Sequence, residues 1–369
     1  MRITSFISSG VRGGAETYLE ALAVGMGAEG SRFRIVGSLP PEVAIGVPKT
    51  EARIGPKWSK STLIRSLKSA RSERSEYLRA AEVRDADVFH CQYKREQILL
   101  SRSLSRTAPV VWTEHGEFLG GGAGWILGLL YRRASRHVST VICVSESVRS
   151  SLELKVGVDP KKLTTIENSV HTRFFQNDSP ERATNLYSRY DSGGEIQLVV
   201  VSRLEYSKGV DRAIDALGYL PDNFKLTVVG EGAFANQLKS KAREFGGRVK
   251  FTGYLSDTKM AYSNADLFLC LSRPEAREGV PISILEAAAS GLHLIVSEDS
   301  GLKSWCAANG ILTVRPDPAI IADLIRSQCG NPDSGISASR ALAKSRRSDS
   351  WLAEHIRVFG NAVAGRVHE

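Results

Sequence analysis

The sequence lacks any pair of cysteines at metal-site or redox-site spacing: Cys91, Cys143, Cys270, Cys306 and Cys329 are scattered, and no C-x-x-C occurs. That argues against a disulfide framework or a zinc ribbon. Cys143 and Cys270 sit inside apolar, strand-like runs, where a free thiol behaves as a small hydrophobe. A reducing compartment, hence a cytoplasmic location, is the expectation. Also missing is any apolar stretch approaching the roughly 18 residues that a membrane-spanning helix needs. The first residues show no basic segment followed by a long apolar run, so a secretory leader is not expected. Nowhere do His, Cys, Asp and Glu gather at metal-ligand spacing, so no metal site is expected. The one paired-acid candidate, Asp85-Ala-Asp87, runs straight into Val88-Phe-His90 and reads as the lead-in to a buried strand. No short-period repeat is present.

What is there is enough chain for two cores. At 369 residues the sequence exceeds what one hydrophobic core organises. With 42% hydrophobic and 24% charged residues, it has the composition of folded domains. Lys and Arg outnumber Asp and Glu by 49 to 40, and a net charge of +9 favours anionic partners without choosing among nucleotides, lipid headgroups and nucleic acid.

Apolar runs alternate with helical periodicity along the chain. Ile3 to Ser9 reads as a strand, Gly10 to Gly14 as a glycine-bearing loop and Ala15 to Met26 as a helix, a layout that lets backbone approach a phosphate. Gly13-Gly14 alone is equally a tight strand-to-helix turn. After a strand at Phe33 to Gly37, Lys49 to Arg84 is rich in Lys, Arg and Ser, with Trp58, Leu63, Ile64 and Leu67 on one side of a helix. An outer helix with a solvated basic face explains it, and peripheral contact with an acidic membrane stays open. Strands at Val88 to His90, Pro109 to Thr113, Thr140 to Val144 and Leu163 to Ile166, with helices at Trp125 to Arg136 and Glu146 to Leu154, imply a parallel doubly wound sheet. His115 follows the carboxyl end of one of them, where such sheets bind ligands.

From Gln176 to Glu195 the apolar periodicity fades, marking a linker at 177–194 between a first domain, 1–176, and a second, 195–348. The alternation then restarts with a strand at Ile196 to Val201. A basic, Ser-rich connector, Ala338 to Ser348, leads to a last helix beginning at Asp349, with 349–369 crossing back to the first domain.

Two cations, Arg203 and Lys208, bracket the loop after the second domain's first strand, placed to clamp a diphosphate; either alone would pass for a solvated surface cation paired with Glu205 or Asp211. Further on, Glu278-Gly-Val-Pro-Ile-Ser-Ile-Leu-Glu286 runs into Ala-Ala-Ala-Ser-Gly291. Pro281 suits the first turn of a helix and Gly291 its stop. Glu278 then lies in the loop before the helix and Glu286 more than a turn inside it.

Taken in order, Gly13-Gly-Ala-Glu16, Glu114-His115-Gly116, Ser202-Arg203 to Lys208-Gly209, Val229-Gly230-Glu-Gly232, Phe251-Thr-Gly-Tyr254 and Glu278-x7-Glu286 resemble the family-4 glycosyltransferases. The resemblance spans nearly the whole chain and is tightest over Gln197 to Gly301. It implies an α/β, GT-B fold, two Rossmann-like doubly wound domains facing across a cleft, and retaining transfer of a sugar from a nucleotide-diphosphate sugar to a hydroxyl acceptor. By the same resemblance Glu286 binds the ribose and Glu278 the donor sugar. Arg203 and Lys208 neutralise the diphosphate, helped by the amides of Gly279, Val280 and Pro281. Gly13 and Gly14 admit the phosphate and the acceptor, His115 sits over the sugar, and Gly230 and Tyr254 lie near the donor and its base. No cofactor is implied beyond a UDP- or GDP-linked donor. The acceptor would be a saccharide, a lipid-linked sugar or a small metabolite, and no nucleic acid is expected. Where the family reads Asn-Gly-Val-Asp this chain has Asn168-Ser-Val-His171. A non-catalytic or epimerase-type protein of the same fold is the alternative.

Overall fold

The computed structural model describes all residues except 11, 42, 45, 53–71, 80–82, 84, 119–121, 176–180, 278 and 368–369. The chain divides into two compact units. The first comprises Met1–Asn168 with Asp349–Glu369, and the second Ser169–Ser348.

In the first unit, β1 (Arg2–Ser8), α1 (Gly14–Ala28), β2 (Arg32–Ser38) and β3 (Lys49–Thr50) are followed by α2 (72–79). The chain continues through β4 (Val88–Cys91), α3 (Lys94–Leu104), β5 (Val110–Glu114), α4 (Gly122–Ser135), β6 (Thr140–Cys143), α5 (Glu146–Ser151) and β7 (Leu163–Thr165). The strands form one sheet in the order β3-β2-β1-β4-β5-β6-β7, every pairing parallel. β4 and β5 are buried along their whole length, which is why they read as unbroken apolar runs rather than alternating ones.

The second unit repeats the winding. It contains α6 (Glu181–Asp191), β8 (Ile196–Val201), α7 (Val210–Ala216), β9 (Phe224–Val229), α8 (Ala235–Ala242), β10 (Val249–Gly253) and α9 (Lys259–Ser263). Next come β11 (Leu267–Cys270), α10 (Ile282–Ala289), β12 (His293–Ser297), α11 (Lys303–Ala308), β13 (Leu312–Val314), α12 (Pro318–Gly330) and α13 (Asp333–Ser345). The sheet order is β10-β9-β8-β11-β12-β13, again parallel. Alternate residues of β8 serve opposite faces. Ile196, Leu198 and Val200 pack with α7, α8 and α12, while Val199 packs with α10 and α13. In both sheets the order of winding reverses beside the first strand, between β1 and β4 and between β8 and β11. Ligand crevices form outside the carboxyl ends of strands at such points.

The helix α14 (Ser348–Val367) joins the first unit. Trp351, Val358 and Phe359 are buried, and Leu352 fills the space left by Gly25, where an added Cβ would stand 2.8 Å from Leu352 Cδ1.

Three boundaries differ from the sequence reading. The expected linker at 177–194 contains α6, because Leu186 and Tyr190, one turn apart, pack on the second core. The break falls after Asn168 rather than after 176, since Val170 and Phe174 are buried in the second unit. Residues 338–345 of the expected connector belong to α13, whose Leu342 and Ala343 are buried. All five cysteines are buried and free. Asp85 and Asp87 pair with Arg2 at the start of β1, and the hydrogen bonds from Arg2 hold the Asp87 carboxyl below its usual range. Most of the basic Lys49 to Arg84 stretch lies outside the described residues.

Candidate active site

The second unit's reversal point carries the loop Ser202–Gly209. Its path is fixed by glycines that nothing larger could replace. Gly209 has φ +65°, and an added Cβ would lie 1.9 Å from the Leu271 carbonyl oxygen. Gly230 has φ +130°, and its Cβ would lie 1.9 Å from the Ser202 oxygen. The loops after β8 and β9 therefore touch backbone to backbone, and the Leu204 amide donates to Glu231 O at 2.8 Å.

Arginines then staple the loop down. Arg273, just past β11, donates to the Tyr206 carbonyl at 2.6 Å and forks onto Asp211 at 2.9 and 2.6 Å. Its guanidinium stacks 3.8 Å from the centre of the Tyr206 ring. Arg212 donates to the Leu271 carbonyl at 3.0 Å and forks onto Asp299 at 2.9 and 2.8 Å. Asp211 and Arg212 are neighbours on α7, so two opposed ion pairs hold one helix start to the ends of β11 and β12. Between them the one-turn helix Tyr206–Lys208 presents Lys208. Arg203 is exposed and pairs with Glu205.

Beside this loop, Gly253 has φ +71° and its carbonyl accepts from Gly230 N at 2.8 Å, while Tyr254 N donates to Glu231 at 3.3 Å. Gly230 and Tyr254 are thus held together. Tyr254 is 40% exposed.

Glu286 is half-buried in the second turn of α10 and accepts the Tyr262 hydroxyl at 2.9 Å and the Thr258 hydroxyl at 3.4 Å. Burial, and next the Glu286 charge, push the Tyr262 phenol well above its ordinary range, so it stays a donor. α10 closes as expected: Gly291 has φ +76°, its N–H bonds Ala288 O and that of Leu292 bonds Ala287 O. Its start differs. Pro281 is the extended cap residue rather than part of the first turn, and having no N–H it cannot supply the amide expected of it. Gly279 and Val280 precede it. Glu278 lies outside the described residues. Immediately before it, Arg277 occupies the left-handed region at φ +48°, a strained conformation for a residue with a Cβ.

In the first unit Gly13 and Gly14 follow β1, at the reversal point, and His115 follows β5, which pairs with β4. Gly13 caps α1 in an extended conformation that any residue adopts, over the buried Glu16, which accepts the Tyr93 hydroxyl. A Cβ on Gly14 would meet nothing within 4 Å. His115 Nε2 lies 2.9 Å from Gln92 Oε1, and its ring meets the edge of Tyr18 at 4.9 Å. Glu114 is buried and paired with Lys94 at 2.6 Å. Beneath His115, burial pushes His90 down to about 3, with lesser contributions from His355 and His115, and burial likewise pushes His355 down to about 4.

Sequence reasoning did not single out Arg273, Tyr262 or Gln92. Arg273 and Gln92 both follow the end of a buried strand, the position that had marked His115, and that signal could have found them.

The sequence pattern described as Glycosyltransferase Family 4 matches residues 12–174, and that described as Glycosyl transferases group 1 matches 188–340. Glycogen synthase of Mycobacterium tuberculosis (strain CDC 1551 / Oshkosh) is 28% identical over 259 residues, 65% of this chain and 59% of the relative. Alpha-monoglucosyldiacylglycerol synthase of Streptococcus pneumoniae (strain ATCC BAA-255 / R6) is 31% identical over 242 residues, 60% of this chain and 54% of the relative. The chain thus spans less than two thirds of either. Among solved structures, Anabaena HepE in complex with UDP and glucose superposes with a TM-score of 0.76 at 17% identity, covering 98% of this chain and 100% of that one. Sucrose-phosphate synthase from Thermosynechococcus elongatus gives 0.74 at 16% identity, covering 99% of each. At such identities the likeness is one of fold, and that fold is GT-B.

Proposed function

The chain belongs to the family-4 glycosyltransferases, and on that premise we propose that it moves a sugar from a nucleotide-diphosphate sugar to a hydroxyl acceptor with retention and without a metal. The observation that carries the proposal is the stapled cationic loop at the reversal point of the second sheet. Arg203 and Lys208 there can meet the charge that grows on a departing diphosphate, on a backbone already held in place. Glu286 takes the ribose hydroxyls, and the Tyr262 phenol holds its carboxylate toward them. Glu278 keeps the role of donor-sugar acceptor. His115 and Gly14 serve the transfer from the first unit. The open space at Gly14 supports this, because an added Cβ there would meet no protein atom within 4 Å.

In the proposed step the bond from the anomeric carbon to the phosphate oxygen breaks. The acceptor oxygen bonds to that carbon on the same face, and the departing phosphate takes the acceptor's proton. No protein nucleophile is required, and positioning with charge stabilisation supplies the rate.

The UDP held by HepE makes a UDP-sugar the first donor to test. A thermal-shift panel of UDP-, GDP- and ADP-sugars tests the donor, since a ligand bound only by the folded state raises Tm. An anomeric coupling constant showing inversion, or turnover abolished by EDTA and restored by manganese, would overturn the mechanism. Isomerisation of the donor, or binding without turnover across acceptors, would favour the epimerase-type or non-catalytic alternative.

A lipid-linked acceptor at a membrane surface is favoured by the outward face of α4. Trp125 is 68% exposed, Ile126 and Leu129 lie beside it, and Arg132, Arg133 and Arg136 continue the same face. Apolar and basic residues on one face suit the boundary of an acidic bilayer, and no described helix is long and apolar enough to cross one. Sedimentation with anionic but not neutral vesicles is the expected result, and equal behaviour with both would remove the reading.

A further inference from the structure

Five buried side chains, each from a different element of the first unit, form one hydrogen-bonded line. Ser5 Oγ lies 3.1 Å from His90 Nδ1, and His90 Nε2 lies 2.9 Å from Thr113 Oγ1. Thr113 Oγ1 lies 3.3 Å from the Tyr18 hydroxyl, which bonds His355 Nε2, and His355 Nδ1 lies 2.7 Å from the Trp351 carbonyl. None of the five is more than 2% exposed.

With both imidazoles kept neutral by burial, the carbonyl at the end fixes every proton. It can only accept, so His355 carries its hydrogen on Nδ1 and accepts at Nε2 from the Tyr18 hydroxyl. The Tyr18 oxygen then accepts from Thr113, Thr113 from His90 Nε2–H, and His90 Nδ1 from Ser5. Each link then carries one hydrogen. An apolar core of the same shape would be about as stable, so what the line contributes is a single geometry.

That geometry reaches the site through Tyr18. Its hydroxyl is held by His355, Trp351 meets its ring at 5.1 Å, and the imidazole of His115 meets it at 4.9 Å. His115 Nε2 is in turn within 2.9 Å of Gln92 Oε1. We propose that Tyr18 and His355 are positioning residues for His115, so that α14, far from the site in sequence, sets the orientation of a site residue. The inference rests on the reading of His115 as part of the transfer site.

The test uses the full chain with Tyr18→Phe, His355→Leu and His355→Gln, whose amide oxygen can again accept from Tyr18. The readouts are UDP-glucose turnover and the imidazole cross-peaks of His115 in a 1H–13C spectrum. Tyr18→Phe and His355→Leu should lower kcat about tenfold, less than the 10²-fold cost of a full ångström of misplacement. The KM for UDP-glucose should stay within about twofold, as expected when binding is spared. Both variants should shift or broaden the His115 cross-peaks, and His355→Gln should restore rate and spectrum. His115→Ala is measured alongside. If it turns over like the wild type, the reading of His115 fails independently of Tyr18. If His115→Ala is inactive while Tyr18→Phe keeps wild-type kcat and unmoved His115 peaks, the positioning role is overturned. Should His355→Leu not fold, Tyr18→Phe decides, and if UDP-glucose is not turned over, the spectra decide.

Discussion

The two sheets are wound in the same order, yet the polar groups that brace the stapled loop and those that reach His115 through Tyr18 are of opposite kinds. In the second unit they are formal charges. Arg273 with Asp211 and Arg212 with Asp299 are partly buried forked ion pairs, and they brace the loop that carries the exposed Arg203 and the half-buried Lys208. In the first unit the line from Ser5 to Trp351 is neutral and fully enclosed. Each suits a different task. A site that must neutralise a diphosphate needs standing positive charge on a backbone that does not give way, and ion pairs supply both. A site that must hold an imidazole in one orientation gains more from directional hydrogen bonds than from charge, whose burial would be costly.

Acid should separate the two most strongly. His90 and His355 are held neutral well below the ordinary histidine value of about 6.5. Their contribution is complete above that value and is lost as the pH falls toward about 4 for His355 and about 3 for His90, because the unfolded chain takes up the protons first. Urea unfolding should show the stability falling by about 3 kcal/mol between pH 7 and pH 5, with His355→Gln removing roughly half of that dependence. No change in slope would mean the line is not what the first unit depends on. Next in size, Arg203→Ala and Lys208→Ala should each reduce kcat by about 10²-fold with little change in Tm, measured by UDP release from UDP-glucose. Wild-type turnover in both would end the clamp. Glu286→Ala should weaken donor binding by about 2 kcal/mol in calorimetry, the worth of a charge-assisted acceptor. Unaltered affinity would reassign that carboxylate to holding Tyr262. The smallest effect belongs to Glu205→Gln, which should leave stability within about 0.5 kcal/mol, since its pair with Arg203 is about half exposed. A larger loss would show that the second unit's surface charges do more than brace the loop.

How much of this could be read beforehand follows the range of the forces involved. Both sheets were legible, because strands buried on two faces leave unbroken apolar runs such as Val110-Val-Trp112 and Leu267-Phe-Leu-Cys270. The glycines at 209 and 230 were legible as members of motifs, although only the structure shows which carbonyl each must avoid. β3 and α3 went unread: β3 is two residues long, and α3 carries Arg95, Glu96 and Gln97 on its buried side, where periodicity arguments look for apolar residues. The partners of the site residues were least visible. Tyr262 is 24 residues from Glu286, Arg273 is 62 from Asp211 and Tyr18 is 337 from His355, and no local spacing encodes such pairs.

The return of α14 to the first unit also has a consequence in time. A ribosome completes the entire second unit before it makes Trp351, His355 and Phe359, the residues that close the first. Until then Tyr18 and His90, synthesised before the second unit, have no partners from that helix. The usual order, in which the N-terminal domain folds first as the chain emerges, is therefore suspended here. The first unit must wait, partly built, for a segment delivered after residue 348.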